Sequence, residues 1–342
     1  MGSGGWRTLR RSGCGAVALA AFLVPALLPA AAQAAPAQGV ATNPAAARKA
    51  LDFWTPARMR QARPLEVRPS APGPRAAAPV PRETTSEAPH RVPAAPPADA
   101  PGAVASARPP SVFGEVPDPT AETWRQNGVI FFQVEGSLAR CSGTSVDAPN
   151  RSVVFTAGHC VNSGGAHGQW YRHSWVFVPG YRYGQRPFGV FAAKWLDATP
   201  AWLASGSENG DVAAAVVTVN EGGERLGDAV GGAGIAWGLK ANQDFDVHGY
   251  PVAPPFDGET QRLCSQRPFL GHDPESFLAP GPLNLAVDCD VTGGASGGGW
   301  TIAGNLLNSV TNYGYPEDPA TDFGAYFGKD VGRLYKRAGA VR

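Results

Sequence analysis

Charged residues are scarce in this chain and nearly balanced in sign. Of its 342 residues only 17% are Asp, Glu, Lys or Arg, and the formal net charge is +1. From residue 118 to the end the net charge is −6. This larger part therefore lacks the excess of basic residues that nucleic acid binding requires, and we expect no nucleic acid partner.

Cysteine is also rare, and its spacing argues against a zinc site. The five cysteines include no C-x-x-C pair, the spacing typical of structural zinc, so we expect no zinc site. No other metal-ligand constellation is evident and the catalytic candidates below need no cofactor, so we expect no metal and no cofactor. Cys14 precedes the N-terminal apolar stretch and is expected to be removed with it, which leaves four cysteines. An even number in an exported chain predicts two disulfides, although three connectivities are possible. Short loops favour the pairs Cys141–Cys160 and Cys264–Cys289.

The longest apolar run lies near the N-terminus. Three arginines among the first 11 residues precede an apolar stretch from about residue 16 to 32, which Pro25 and Pro29 interrupt. A small-residue cleavage motif, Ala-Gln-Ala, follows at 32–34. This pattern predicts a secretory signal peptide over 1–34. A membrane anchor is the alternative, but the stretch is short and contains two prolines. We therefore expect a secreted, extracellular protein without membrane attachment.

Large apolar side chains are sparse between residues 35 and 117. This segment holds about half of the 33 prolines and has a net charge of +4. Such a composition predicts a mostly disordered segment. We interpret it as a pro-segment that could associate by charge with the acidic remainder of the chain and is removed near 110–120. One island, residues 50–60, contains aromatic residues and helix formers and could dock on another surface.

Helical periodicity is nearly absent after residue 118. Short runs rich in Val, Phe, Tyr and Trp, such as 129–134, 153–156 and 212–219, are separated by Gly, Asn, Asp and Pro. This predicts an all-β domain over 118–342. The exception is 330–337, where Asp330 as a capping residue precedes apolar residues three and four apart. That pattern predicts a short C-terminal helix.

Three short fragments carry the residue types of nucleophilic catalysis. Thr-Ala-Gly-His-Cys ends at Cys160, Asn-Gly-Asp-Val contains Asp211, and Gly-Gly-Ala-Ser-Gly-Gly contains Ser296. Serine becomes a good nucleophile when an imidazole accepts its proton, and a carboxylate orients and stabilises that imidazole. His159 is therefore the candidate base, Asp211 the orienting acid and Ser296 the nucleophile.

Two other aspartates compete with Asp211 for the orienting role. Asp197 follows an apolar pair, and Asp228 lies in a Gly-rich segment. Asp211 is favoured because it opens an apolar strand, which would bury its carboxylate beneath the imidazole.

The serine motif also matches the Gly-x-Ser-x-Gly nucleophile elbow of the α/β-hydrolases. In that fold the catalytic histidine follows the serine along the chain. All six histidines of this chain precede Ser296, the last at position 272. The chain order therefore excludes an esterase or lipase of that class.

Together these motifs resemble the chymotrypsin-like serine peptidases over about residues 120–338. The resemblance rests on Cys141–Thr144, on the histidine and aspartate fragments, and on the loop around Ser296. Within the family, the motif at 53–59 (Phe-Trp-Thr-Pro-x-Arg-Met) and the stretch 288–296 are similar to secreted bacterial trypsin-like enzymes related to the glutamyl endopeptidases. In this family the two cysteines that flank the histidine strand are bridged.

The resemblance implies two six-stranded antiparallel β-barrels, about 120–225 and 226–338, with the catalytic triad in the cleft between them. It implies an oxyanion hole formed by the backbone N–H groups of Gly294 and Ser296. The expected activity is that of a monomeric serine endopeptidase that acts on extracellular polypeptides through an acyl-enzyme. A binding protein that kept this fold without catalysis is the alternative.

The resemblance also points to a substrate pocket, with one departure from the family pattern. Trypsin has an Asp directly before the serine, which pairs with the freed N-terminus, whereas this chain has Ala295. Asp290 is at the offset where trypsin holds the carboxylate that selects basic side chains, but a structural role remains open. No histidine follows Ser296 to support glutamate preference. The remaining candidate pocket residues are Thr292, Gly293, Ser309 and Thr311.

Overall fold

The computed structural model describes residues 1–2, 39–65, 88–98, 114–122 and 124–342. The predicted signal peptide lies outside the described residues, apart from residues 1–2, and so does a large part of the predicted pro-segment. The chain divides into the units 1–36 and 37–342, and all elements below belong to the second unit.

The described residues form short strands and a few helices. The strands are β1 (Val40–Ala41), β2 (Arg63–Pro64), β3 (His90–Val92), β4 (Gly114–Glu115), β5 (Asn127–Val134), β6 (Ser137–Val146), β7 (Val153–Thr156), β8 (Val176–Pro179), β9 (Phe191–Ala198), β10 (Ala213–Val217), β11 (Gly234–Trp237), β12 (Asp244–Gly249), β13 (Arg262–His272), β14 (Leu285–Asp288), β15 (Gly299–Ile302), β16 (Leu306–Tyr315) and β17 (Asp318–Gly324). The helices are α1 (Pro44–Phe53), α2 (Pro56–Gln61), α3 (Pro200–Ser205), α4 (Leu226–Val230) and α5 (Lys329–Ala340). None of the helices in the described ranges is long and apolar enough to cross a membrane.

Twelve of these strands close into two six-stranded antiparallel barrels. The first has the order β9-β10-β7-β6-β5-β8 and is closed by the pairing of β8 with β9. The second has the order β15-β12-β13-β14-β17-β16 and is closed by the pairing of β15 with β16. Barrel closure leaves no unpaired edge between first and last strand. The predicted all-β, two-barrel fold is confirmed.

The predicted C-terminal helix is also confirmed, with one correction to its start. Helix α5 begins at Lys329 after the capping position Gly328, so Asp330 lies in the first turn rather than at the cap. There its negative charge faces the positive end of the helix dipole. The buried face of the helix, which includes Leu334 and Ala338, packs in a cluster with strands of both barrels.

Both predicted disulfides are present. Cys141 is bonded to Cys160 across 19 residues, and Cys264 is bonded to Cys289 across 25. The first joins β6 to the turn that carries His159, and the second joins β13 to the segment that leads to Ser296. Each bridge therefore restrains a loop that reaches a candidate catalytic residue.

Residues 39–65 are ordered on the first barrel, although their composition predicts disorder outside the 50–60 island. Asn43 caps α1 and Thr55 caps α2, and a proline follows each cap at the first helical position. Strand β1 pairs with β9, and β2 pairs with β6. Residues 88–98 are likewise held, since β3 pairs with β11. Backbone hydrogen bonds to barrel strands thus order segments with few large apolar side chains.

The island at 50–60 docks on the outer face of the first barrel. Trp54 is 1% exposed, and its indole N–H donates to the Ser174 carbonyl at 2.5 Å. It packs with Met59 in a cluster that contains Val129 and Phe131 of β5, whereas the alternate residues of β5 face the barrel core. Strand β5 is therefore apolar on both faces because the N-terminal segment covers its outer face.

Replacing Trp54 with alanine is expected to destabilise the full chain by roughly 3–5 kcal/mol, the usual cost of deleting a buried large aromatic side chain. Thermal unfolding of the Ser296→Ala protein with and without Trp54→Ala measures the effect and prevents self-cleavage. Trp54→Phe, which keeps an aromatic ring, should lose less. Equal melting temperatures for the Ser296→Ala protein with and without Trp54→Ala would show that docking of Trp54 on the first barrel contributes no stability.

Candidate active site

His159 and Asp211 form a buried, doubly hydrogen-bonded pair. His159 lies in a short 3-10 turn, Gly158–Cys160, directly after β7, and Asp211 follows a second one, Glu208–Gly210, before β10. The His159 ring nitrogen Nδ1 is 2.7 Å from Asp211 Oδ2, and the His159 backbone N–H donates to Asp211 Oδ1 at 2.7 Å. The side chains are 1% and 2% exposed, respectively. The pairing of β10 with β7 brings these turns together.

The hydrogen bond fixes which ring nitrogen can accept a proton. An ionised carboxylate has no proton to donate, so Nδ1 of neutral His159 carries the hydrogen and Nε2 carries the lone pair. His159 Nε2 is buried and has no hydrogen-bond partner among the described residues. The imidazole is thus oriented by one nitrogen and available as a base through the other.

Two asparagines hold the Asp211 turn. Asn312 of β16 donates through Nδ2 to the carbonyl of Asp211 at 3.2 Å and to that of Glu208 at 3.1 Å. Asn209 donates to the carbonyls of Ser276 and Ala279 at 2.8 and 2.9 Å. The turn is therefore anchored to the second barrel as well as to the first. No sequence pattern links these two asparagines to the Asp211 turn as its anchors, since only the fold brings their amide groups to it.

The competing aspartates have other partners. Asp197 is buried and pairs with Arg337 at 2.7 Å. Asp228 pairs with Arg151 and Arg225, each at 2.6 Å. Both carboxylates thus form structural ion pairs, whereas that of Asp211 contacts the imidazole.

Ser296 lies in the loop between β14 and β15, beside the disulfide that flanks His159. It is 8% exposed. Its carbonyl accepts a hydrogen bond from the Ser142 N–H at 2.8 Å and lies 3.7 Å from Cys160 Sγ. The structure thus brings the loop of Ser296 against the chain neighbour of His159. Ser296 Oγ is not hydrogen-bonded to His159 Nε2, which has no partner among the described residues. In serine enzymes this contact is often looser before substrate binds.

The close approach of this loop to the first barrel requires glycine at position 297. Gly297 has a φ of +79°, in the region that other residues rarely adopt. A β-carbon there would lie 2.6 Å from the Ser142 carbonyl oxygen and would overlap Thr156 Oγ1. The Gly after the serine therefore has a steric reason to be present.

The predicted pocket residues fall into two groups. Asp290 is exposed, and Thr292 and Gly293 are partly buried. Ser309 and Thr311 are buried on β16, where the Ser309 hydroxyl donates to the Ala325 carbonyl at 2.8 Å. Residues 290–293, which precede the serine, are therefore at least partly accessible to solvent. The hydroxyls of Ser309 and Thr311 are instead used in hydrogen bonds inside the second barrel.

Asp322 is a buried carboxyl that the sequence analysis missed. Thr311 Oγ1 donates to Asp322 Oδ2 at 2.8 Å, and Trp300 donates to the same threonine oxygen at 2.9 Å. Burial raises the pKa of Asp322 to about 8, against the lowering effect of its hydrogen bonds. No local motif marks Asp322, because its burial depends on the pairing of β17 with β14 and β16.

Asp322 predicts a pH-dependent stability. In the unfolded chain it ionises near pH 4, but in the fold it stays protonated to about pH 8, so the folded state holds the extra proton between these values. Its stabilising contribution is therefore complete below about pH 4 and is lost as the pH rises through about 8. The melting temperature of Asp322→Asn minus that of wild type should therefore increase from pH 5 to pH 9, because asparagine does not ionise. The exposed Asp318→Asn is the control, and a pH-independent difference for Asp322→Asn would refute the assignment.

One cluster of the described residues has metal-ligand composition, namely Cys141, His159 and Cys160, whose ligand atoms lie within 4.8 Å of one another. Both sulfur atoms belong to the same disulfide. A disulfide offers no thiolate, so these residues do not form a thiolate metal site.

The sequence matches no protein-family model and no curated protein. Among solved structures, the fold is similar to the protease Anisep from Arthrobacter nicotinovorans, with 37% identity and a TM-score of 0.57 over 64% of this chain and 96% of that one. It is also similar to the thermostable serine protease AL20 from an extremophilic microorganism, with 33% identity and a TM-score of 0.59 over 65% and 100% of the two chains. A Glu endopeptidase shares the fold at 18% identity and a TM-score of 0.53 over 68% and 98%.

Two closed barrels define the structural class, and the similarity to the protease Anisep and the serine protease AL20, each at more than 30% identity, covers nearly their whole length. The chain belongs to the chymotrypsin-like serine peptidases.

Proposed function

We propose that the protein is a secreted serine endopeptidase that cleaves extracellular polypeptides through an acyl-enzyme on Ser296. The observation that carries the proposal is the buried His159–Asp211 pair, in which His159 Nε2 is left without a partner. Serine protease neighbours at 37% and 33% identity support a peptidase activity.

In this mechanism His159 Nε2 accepts the proton of Ser296 Oγ as that oxygen attacks the scissile carbonyl carbon. Asp211 stabilises the resulting imidazolium. His159 then gives the proton to the leaving amine, and the C–N bond breaks to leave an acyl ester on Ser296. A water molecule then attacks the ester carbonyl carbon while His159 Nε2 accepts its proton. His159 returns this proton to Ser296 Oγ as the bond between the acyl carbon and Oγ breaks, which releases the acid and restores the free serine. Protein groups supply every proton transfer, so the mechanism requires no cofactor.

The proposed oxyanion hole consists of the N–H groups of Gly294 and Ser296. In a trans peptide the N–H points opposite to the preceding carbonyl. The Gly293 carbonyl accepts from Val252 N–H at 2.9 Å, and the Ala295 carbonyl accepts from Gly298 N–H at 2.7 Å. Each bond fixes the carbonyl of one peptide group and thereby orients the N–H of the same group, which is Gly294 N–H in the first and Ser296 N–H in the second. Donors that are oriented in advance stabilise a developing oxyanion.

We further propose that residues 1–34 direct export and that cleavage near 110–120 matures the enzyme. Two disulfides support an oxidising destination. The protein's own pro-segment is then a binding partner of the first barrel. It is held by the Trp54 cluster and by the pairing of β1 with β9 and of β2 with β6. We expect the matured protein to be a monomer.

Burst kinetics test the proposal directly. Mixing the purified protein with a nitrophenyl ester should release about one equivalent of nitrophenolate rapidly, followed by slower turnover, because acylation precedes deacylation. Absence of both burst and turnover would favour a catalytically silent binding protein. Cleavage of a mixed peptide library, with Asp290→Ser in parallel, then tests whether the exposed Asp290 selects basic residues.

A further inference from the structure

Ser142 connects the first barrel to both sides of the nucleophile. It lies on β6 and is 1% exposed. Its N–H donates to the Ser296 carbonyl at 2.8 Å. Its hydroxyl accepts from the Tyr250 N–H at 3.0 Å and donates to the Gly294 carbonyl at 2.9 Å. One buried residue thus contacts the nucleophile, the glycine of the proposed oxyanion hole, and the turn beside them.

The direction of these bonds is determined by the chemistry of the hydroxyl. A serine hydroxyl has one proton and two lone pairs. The Tyr250 N–H can only donate and the Gly294 carbonyl can only accept, so the single proton of Ser142 points at Gly294. Deleting the hydroxyl would leave both backbone groups unpaired in a buried place.

The loop needs this support because the trypsin-type ion pair has no counterpart here. Ala295 occupies the position of the pairing aspartate and is fully buried. The Ala295 β-carbon packs against Gly249. A β-carbon added at position 249 would lie only 2.8 Å from it. An alanine side chain carries no charge, so the loop conformation must be held by other contacts.

Gly294 is the residue of the loop most in need of restraint. Its φ of +102° is readily accessible only to glycine, whose backbone is also the most mobile. On its N-terminal side the Gly293 carbonyl is bound by Val252. On its C-terminal side the Gly294 carbonyl is bound by Ser142. These two bonds together restrict the orientation of the Gly294 N–H.

We propose that Ser142 is a positioning residue. Its hydroxyl holds Gly294 so that the Gly294 N–H is directed at the developing oxyanion, a role that the aspartate ion pair before the serine has in trypsin. The inference rests on the proposed function, because it assigns the Gly294 N–H to the oxyanion hole. Ser142 itself does not touch the substrate in this scheme. Its loss should therefore weaken transition-state stabilisation more than substrate binding.

The test compares Ser142→Ala with Ser145→Ala. Ser145 is also 1% exposed on β6, and its hydroxyl donates to the Gly231 carbonyl at 2.8 Å, away from the nucleophile loop. We measure kcat, KM, melting temperature and the inhibition constant of a peptide boronic acid, which forms a tetrahedral adduct. Ser142→Ala should lower kcat and weaken the boronate by about 10- to 100-fold with KM nearly unchanged, whereas Ser145→Ala should change each by less than about threefold.

The outcomes separate this inference from the proposed function. Equal kcat values for the two variants, or a loss confined to KM, would overturn the role of Ser142 while the peptidase assignment stands. A wild-type protein that neither hydrolyses substrate nor binds the boronate would overturn both. Ser142→Gly removes the same hydroxyl and serves if the alanine variant does not fold. Ser142→Thr keeps the hydroxyl and should recover kcat relative to alanine.

Discussion

Replacing Ser296 with alanine is expected to lower kcat by roughly 10⁶-fold, because the acyl-enzyme cannot form without its hydroxyl. The fold should be unaffected. The contact that holds the residue is its backbone carbonyl, which accepts from Ser142 N–H, and alanine keeps that carbonyl. Peptide hydrolysis and thermal unfolding of the same preparations measure the two effects.

Ser265→Ala is the matched control for this substitution. Ser265 is 3% exposed, and its hydroxyl donates to Asp246 Oδ1 at 2.9 Å in the second barrel. It should retain activity within a few-fold, although it also loses a buried serine hydroxyl. Residual hydrolysis by Ser296→Ala at more than a few per cent of wild type would assign the nucleophile to another residue.

Replacing Asp211 with asparagine is expected to lower kcat by about 10⁴-fold with little change in structure. The carboxylate accepts hydrogen bonds from both Nδ1 and the backbone N–H of His159, each at 2.7 Å. An amide in its place can donate to Nδ1, which favours the tautomer with the proton on Nε2. That tautomer cannot accept the proton of Ser296.

Asp228→Asn tests whether the effect is specific to Asp211. From the sequence Asp228 is an alternative to Asp211, but in the fold it pairs with Arg151 and Arg225. Its replacement should lower stability slightly and leave kcat unchanged, since ion pairs that solvent still reaches contribute little and this one lies away from the imidazole. Comparable losses of kcat in both variants would contradict the assignment of Asp211.

The sequence predicts the parts of the fold that local patterns encode. Runs such as 153–156 predict strands because each is bounded by turn residues, and the spacing of four cysteines favours the two observed disulfides. Asp211 could be chosen over Asp197 because it precedes an apolar strand, which the structure identifies as β10. The terminal helix follows from its periodicity, although its first residue does not.

Other features depend on contacts between distant residues and leave no local pattern. Residues 88–98 resemble a disordered segment, yet β3 is ordered by backbone pairing with β11, which any sequence can supply. The burial of Asp322 arises from sheet register, and the contacts of Ser142 arise from the meeting of three chain segments. One indication was present in β5, whose apolar residues on both faces imply a covering segment.

The central claim is that His159 and Asp211 activate a single serine. Reaction of the purified protein with a fluorophosphonate, followed by peptide mapping in a mass spectrometer, tests it most directly. The predicted result is about one label per molecule on Ser296, with labelling of His159→Ala slowed by several orders of magnitude. Labelling of wild type no faster than that of Ser296→Ala, or a label on another serine, would contradict it.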